Sequence, residues 1–159
     1  MSDPPSLAIV VTGRNDDYGG QFAKRFFRTL TFNLERLAEK YVTTEVCLVE
    51  WNPVPDRPLL SEQLQAFVPE GCHERVRCYV VDRRYQQVLS LNPNLDFLEY
   101  IAKNVGIRRA NAHLVLATNT DILFSSALID KISSGGLLDS RVYRANRIDL
   151  KLGIDESRI

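Results

Sequence analysis

The stretch HLVLATNTDILF, residues His113 to Phe124, decides the fold of this chain. Its first part, Leu114 to Ala117, is a short apolar run of the kind that a parallel sheet buries on both faces. Four polar residues, Thr118 to Asp121, follow directly. A buried strand with an acidic end needs a ligand, a metal or a helix terminus to compensate the carboxylate. Asp121 is therefore the first candidate for function; the alternative is that it only caps a turn.

The rest of the chain alternates apolar runs with amphipathic segments. The predicted strands span residues 6–12, 45–50, 76–81, 114–117 and 141–145. The predicted helices span residues 21–41, 58–67 and 95–110, and a last helix is expected between Ser125 as N-cap and Gly135. We expect a mobile polar loop over 82–94 and no clear element from 149 onward. This order predicts an α/β fold, an open and mostly parallel sheet of about five strands with helices on both faces.

Composition limits the class of protein. The 159 residues suggest one domain, and 45% hydrophobic content allows a real core. Twenty basic residues balance twenty acidic ones, so nothing in the charge favours a nucleic acid partner. Three cysteines without metal-ligand spacing are typical of a reducing, cytoplasmic-type compartment. No apolar run is long enough to span a membrane. Membrane association through other segments stays an open alternative.

Polar side chains follow the ends of three predicted strands. They are Thr12, Arg14, Asn15 and Asp16 after the first strand; Glu50 and Asn52 after the second; and Asn119 and Asp121 after the fourth. The carboxyl ends of parallel strands share one edge of the sheet, so these sets can converge on one crevice. Carboxylates, amides and an arginine suit a sugar nucleotide, in which a divalent cation neutralises the diphosphate. The alternative is that they are ordinary solvated loop ends.

Several of these segments also resemble a known family. VVTGRNDDY (10–18), VEWNP (49–53), YIAKNVGIRRA (100–110) and LATNTDILFS (116–125) resemble the nucleotide-binding half of a GT-A-fold, family 2-like glycosyltransferase. The resemblance covers most of Leu7 to Leu150. It implies a Rossmann-like domain over residues 1–159 that binds a UDP- or GDP-sugar.

The resemblance also implies roles for single residues. Asn119-Thr120-Asp121 matches the Asp-x-Asp-type motif of that family, with Asn119 in place of the first acid. Asp121 is then the ligand of Mn²⁺ or Mg²⁺, and Asn119 contacts ribose or sugar. Thr12 and Arg14 frame the base, and Glu50 contacts base or ribose. Arg108 or Arg109 faces the nucleotide; the alternative is that both arginines form surface ion pairs.

The reaction implied is the metal-assisted, inverting transfer of a sugar to an acceptor hydroxyl, with a carboxylate as base. No catalytic base is identified, because the acids that follow Asp121 stand in no recognisable acceptor motif. We therefore expect a truncated module or a fragment that lacks the acceptor half. The competing class is a non-catalytic α/β nucleotide-binding or interaction module. A Rossmann oxidoreductase or methyltransferase is disfavoured because the first turn lacks G-x-G-x-x-G.

Overall fold

The fold is organised around β1, which a computed structural model places inside a four-stranded parallel sheet. The structure describes residues 5–138 and 140–149. The strand order is β3-β2-β1-β4, and the strands are β1 (Leu7–Gly13), β2 (Thr44–Trp51), β3 (Val76–Val81) and β4 (Leu114–Ala117). The predicted α/β class and parallel sheet are confirmed. The prediction of no clear element from 149 onward lies outside the described residues, apart from Asp149 itself.

Helices connect the strands and cover both faces of the sheet. They are α1 (Phe22–Glu39), α2 (Leu60–Phe67), α3 (Glu70–His73), α4 (Arg83–Leu89), α5 (Glu99–Arg109) and α6 (Ser126–Ser133). The side-chain alternation of the strands divides the core. Leu7, Ile9 and Val11 pack with α1, α2 and α6 in the larger cluster. Val49 and Trp51 pack with Ala102 of α5 in the smaller one.

Register places the strand ends at one edge. β1 pairs with β2 from Leu7 opposite Thr44 to Gly13 opposite Glu50. On its other side, β1 pairs with β4 from Leu7 opposite Leu114 to Val10 opposite Ala117. The polar residues that follow β1, β2 and β4 therefore leave the sheet at its carboxyl edge.

The predicted fifth strand was wrong. Residues 141–145 form no regular element, and the Val142 side chain is fully exposed. The physical reason is that RVYRA has only two large apolar residues, each beside an arginine, so a buried sheet position would have left charges unpaired.

The predicted loop over 82–94 was also wrong in its first half, where α4 forms. Asp82 caps this helix, and its carboxylate accepts a hydrogen bond from the Arg84 N–H at 2.8 Å. The predicted cap of α6 is confirmed, since the Ser125 hydroxyl accepts from the Leu128 N–H at 3.3 Å.

Candidate functional site

The order of the strands creates a topological switch point beside β1. From β1 the chain builds β2 and β3 on one side, and it later returns to place β4 on the other side. Connections that leave in opposite directions open a crevice at the carboxyl edge, and ligands of open α/β sheets bind there. The segments 14–21 and 118–125 border this crevice. A hydrogen bond of 3.0 Å from the Thr118 N–H to the Val10 carbonyl fixes the start of the second segment.

Arg14 joins the ends of β1 and β2. Its Nε donates to the Asn52 carbonyl at 2.7 Å, and its guanidinium lies 3.2 Å from Asp16 and 3.6 Å from Asp96. Asn52 in turn donates from its side chain to the Asp96 carbonyl at 2.8 Å. The structure thus brings Arg14 and Asn52 together, as their positions after adjacent strands predicted. Because Asp96 is two-thirds exposed and the more distant partner, a phosphate oxygen could take its place beside the guanidinium.

Asn15 builds the loop that follows β2. Its side chain is 5% exposed and donates to the carbonyls of Val54, Arg57 and Pro58 at 3.2–3.3 Å. Its Oδ1 accepts from the Val54 N–H at 2.6 Å. The amide is therefore occupied by the protein backbone, and Asn15 shapes the crevice wall in this conformation.

Glu50 faces inward, towards the N-terminus of α2. Its side chain is 1% exposed, and one carboxylate oxygen accepts from the Leu60 N–H at 2.8 Å. The other oxygen is buried without a hydrogen-bond partner among the described residues. Burial raises the pKa of Glu50 to about 7; the Leu60 hydrogen bond acts in the opposite direction and the nearby Glu62 adds to the rise. Thr12 is also buried, within β1. Neither side chain is open to a ligand in this conformation.

The end of β4 is paired with the first half of α5. The Lys103 ammonium donates to the side-chain oxygen of Asn119 at 2.7 Å and forms an ion pair with Glu99, also at 2.7 Å. Lys103 is a cation at the crevice that the sequence reasoning missed. One available signal was topological: a helix between two parallel strands runs back along the sheet, so its first turns, and not its last, lie near the carboxyl edge.

The same argument explains the positions of Arg108 and Arg109. Both lie in the last turn of α5, and the Arg109 guanidinium stacks over the ring of Tyr79 at 5.3 Å. The next segment continues to the opposite edge, where the Asn111 N–H donates to Glu45 near the start of β2. The structure does not bring these two arginines to the crevice.

Asp121 is exposed at the crevice and has no hydrogen bond or ion pair with any described residue. The backbone behind it is held rigidly by Asn33 of α1. The Asn33 side chain donates to the Ile122 carbonyl and accepts from the Phe124 N–H, both at 2.8 Å. Asn33 is 4% exposed and lies within the apolar stripe of α1. A polar residue at such a position indicates a buried side chain with hydrogen-bond partners, and this sequence pattern could have identified Asn33.

A divalent cation fits this site only together with a ligand. Within the described residues, no group of three or more histidine, cysteine or acidic side chains could hold a metal. Asp121 offers a single open carboxylate. Magnesium-type cations commonly bind through one or two carboxylates and the phosphates of a substrate, so a diphosphate would supply the remaining ligands.

The concave space near this edge is small. A cavity of about 180 Å³ lies between the 14–21 segment and α2, lined by Asp17, Phe22, Arg57 and Gln63 among others. Pockets for small molecules usually measure about 300–1,000 Å³. This cavity is therefore smaller than the usual pocket for a small molecule, and the crevice itself is open to solvent.

None of the helices in the described part of the chain is long and apolar enough to cross a membrane. Comparison with models of protein families and with characterised proteins gave no match.

Proposed function

We propose that this chain binds a nucleoside-diphosphate sugar at the crevice between β1 and β4, as the donor-binding part of a glycosyltransferase. The observation that carries the proposal is the open carboxylate of Asp121 at the switch point of a parallel sheet. Arg14 and Lys103 lie at the same edge, where two cations can face a diphosphate. The resemblance of the flanking segments to GT-A-fold enzymes supports this assignment.

In the proposed complex, each residue has a distinct task. Asp121 would hold a Mn²⁺ or Mg²⁺ ion, which would supply positive charge for the leaving diphosphate. Asn119 hydrogen-bonds a ribose or sugar hydroxyl. Arg14 and Lys103 exchange carboxylate partners for phosphate oxygens. In the proposed reaction, an acceptor hydroxyl would attack the anomeric carbon with inversion as the diphosphate leaves, and a carboxylate base would take the proton of the hydroxyl.

A second candidate is a nucleotide-binding module without catalysis. A specific observation favours it: neither of the two described acids late in the chain faces the crevice as a free base. Asp130 forms an ion pair with Lys40 at 2.8 Å, and Asp149 forms one with Arg147 at 2.9 Å. Such a module would bind the donor but neither hydrolyse nor transfer its sugar.

The decisive experiment is a calorimetric titration of UDP, GDP and their sugars, with and without Mn²⁺. For the wild type we expect binding that Mn²⁺ strengthens. Asp121→Ala should abolish the Mn²⁺ effect and weaken nucleotide binding at least tenfold, because the proposed cation would contact the protein through this carboxylate and the nucleotide through its diphosphate. Asp130→Ala removes an exposed carboxylate from α6, away from the crevice, and is the matched control.

Two results would contradict the proposal. One is a folded wild-type protein that binds none of these nucleotides. The other is Mn²⁺-assisted binding that survives in Asp121→Ala. If binding is confirmed, release of free sugar from the donor then separates the transferase from the non-catalytic module.

A further inference from the structure

A second cavity lies at the amino edge of the sheet, beside the first residues of β1 and β4. This amino-edge cavity measures about 360 Å³, which is within the usual range of small-molecule pockets. Four apolar side chains form its floor and belong to the larger core cluster or pack against it: Val42, Leu114, Ile132 and Leu137. Tyr41 and His113 also line the cavity, and because both are exposed they form its rim.

Tyr41 occupies a backbone position that ordinarily belongs to glycine. It follows the C-terminus of α1, where the Tyr41 N–H donates to the Ala38 carbonyl at 2.9 Å and the Val42 N–H donates to the Leu37 carbonyl at 3.0 Å. These two hydrogen bonds define a Schellman motif, which requires a left-handed residue between its two partners. The φ of Tyr41 is +58°, a conformation that disfavours residues with a Cβ atom.

The Tyr41 side chain does not compensate this strain within the fold. Tyr41 is 94% exposed, and its side chain has no hydrogen bond or ring contact with any described residue. The hydrophobic contact that usually accompanies the motif is available without it, since Val42 and Leu37 both lie in the core. A strained residue whose side chain stabilises nothing in the fold indicates a role in binding.

The charged side chains beside the cavity give no net preference for a charged ligand. Lys40 lines the cavity, but its ammonium is paired with the Asp130 carboxylate at 2.8 Å. Glu39 and Lys131, of opposite charge, lie in the last turns of α1 and α6 and do not line it. The His113 ring has no hydrogen bond or ion pair with any described residue, so its nitrogens can donate or accept.

We propose that the amino-edge cavity binds a small, uncharged aromatic molecule. The ligand stacks on the Tyr41 ring, covers the apolar floor and hydrogen-bonds the His113 imidazole through one polar group. The site is separate from the donor crevice, because the seven residues of β1 place about 20 Å between the two edges of the sheet.

The test is a titration of the whole chain with 2-naphthol at pH 7, followed by the amide ¹H–¹⁵N resonances. We expect saturable shifts at residues 40–42, 113–114 and 132–137, which surround the cavity. The anion 2-naphthoate has nearly the same shape and should bind at least about fivefold more weakly. The reason is that its carboxylate would lose water while the Lys40 ammonium is already paired.

Two substitutions of Tyr41 separate its ring from its backbone. Tyr41→Ala and Tyr41→Gly should each raise the Kd for 2-naphthol about tenfold, because both remove the stacking surface. Tyr41→Gly should also move the urea unfolding midpoint above those of the wild type and Tyr41→Ala, since glycine accepts the positive φ without strain. Tyr100→Ala removes an exposed tyrosine from α5, outside the cavity, and is the matched control.

Tyr100→Ala should bind 2-naphthol like the wild type, and so should Asp121→Ala, which separates this proposal from donor binding. Four results would overturn the proposal: no shifts around the cavity, 2-naphthoate binding as tight as that of 2-naphthol, unchanged affinity in Tyr41→Ala, or an equal loss in Tyr100→Ala. An unfolding midpoint of Tyr41→Gly below that of Tyr41→Ala would contradict the strain at Tyr41 and with it the argument for a binding role.

Discussion

Replacing Glu50 with glutamine should stabilise the protein, and the gain should grow with pH. Burial raises the pKa of this carboxyl from 4.5 to about 7, although the Leu60 N–H favours the charged form. A pKa that is higher in the folded state means that the folded protein holds the proton more tightly than the unfolded chain does. The stabilisation from this proton is complete below about pH 4.5 and is lost as the pH rises through about 7.

The size of the effect follows from the two pKa values. Their difference corresponds to about 3 kcal/mol of unfolding free energy, which the wild type loses between pH 4.5 and 8. Glutamine has nearly the same shape, cannot ionise and can still accept from the Leu60 N–H. Glu50→Gln should therefore match the wild type near pH 4.5 and exceed it by up to about 3 kcal/mol at pH 8.

Urea unfolding of both proteins at pH 5, 6, 7 and 8 measures this difference. Glu35→Gln changes an exposed glutamate of α1 and should give no comparable trend with pH. A difference between Glu50→Gln and wild type that stays constant from pH 5 to 8 would refute the reasoning. So would a variant that loses stability relative to wild type as the pH rises, since the buried carboxylate would then be favourable when charged.

Two further substitutions test how the site is supported. Asn33→Ala should lower the free energy of unfolding, measured in urea, by about 2–4 kcal/mol, because it leaves the Ile122 carbonyl and the Phe124 N–H without hydrogen-bond partners. The control Asn104→Ala, on the exposed side of α5, should lower it by less than about 0.5 kcal/mol. Gly106→Ala should lower stability by about 1–3 kcal/mol, since its new Cβ would lie 2.5 Å from the Val10 Cγ1. Combining it with Val10→Ala should cost less than the sum of the two single changes, and strict additivity would contradict the proposed clash.

Much of the fold was predictable because its signals are local. The continuous apolar run of β2 and the three- and four-residue spacing of Phe22, Phe26 and Leu30 predicted a buried strand and an amphipathic helix. Gly106 shows the limit of local reasoning. Helix propensity alone marks it as a weak point in α5, whereas the structure shows that the close approach of Val10 requires a residue without a side chain.

The site was predictable in position but only partly in detail. That polar groups after β1, β2 and β4 share one edge follows from the parallel order of the strands. Which way each side chain faces depends on distant packing partners. Asn15 follows β1, as predicted, yet its amide is occupied by the 54–58 backbone.

By itself the sequence determined the alternation of strands and helices, and with it the parallel sheet and the carboxyl edge where Asp121 lies. These follow from periodicity and from the short connections of α/β chains, which are properties of neighbouring residues. Only the tertiary structure decided that Glu50 is buried under α2, that Lys103 and not Arg108 reaches the crevice, and that 141–145 adds no strand. Those outcomes depend on contacts between residues that are far apart in the chain. Such contacts decide which side chains are buried and which charged groups lie next to each other, and the sequence pattern of neighbouring residues does not specify them.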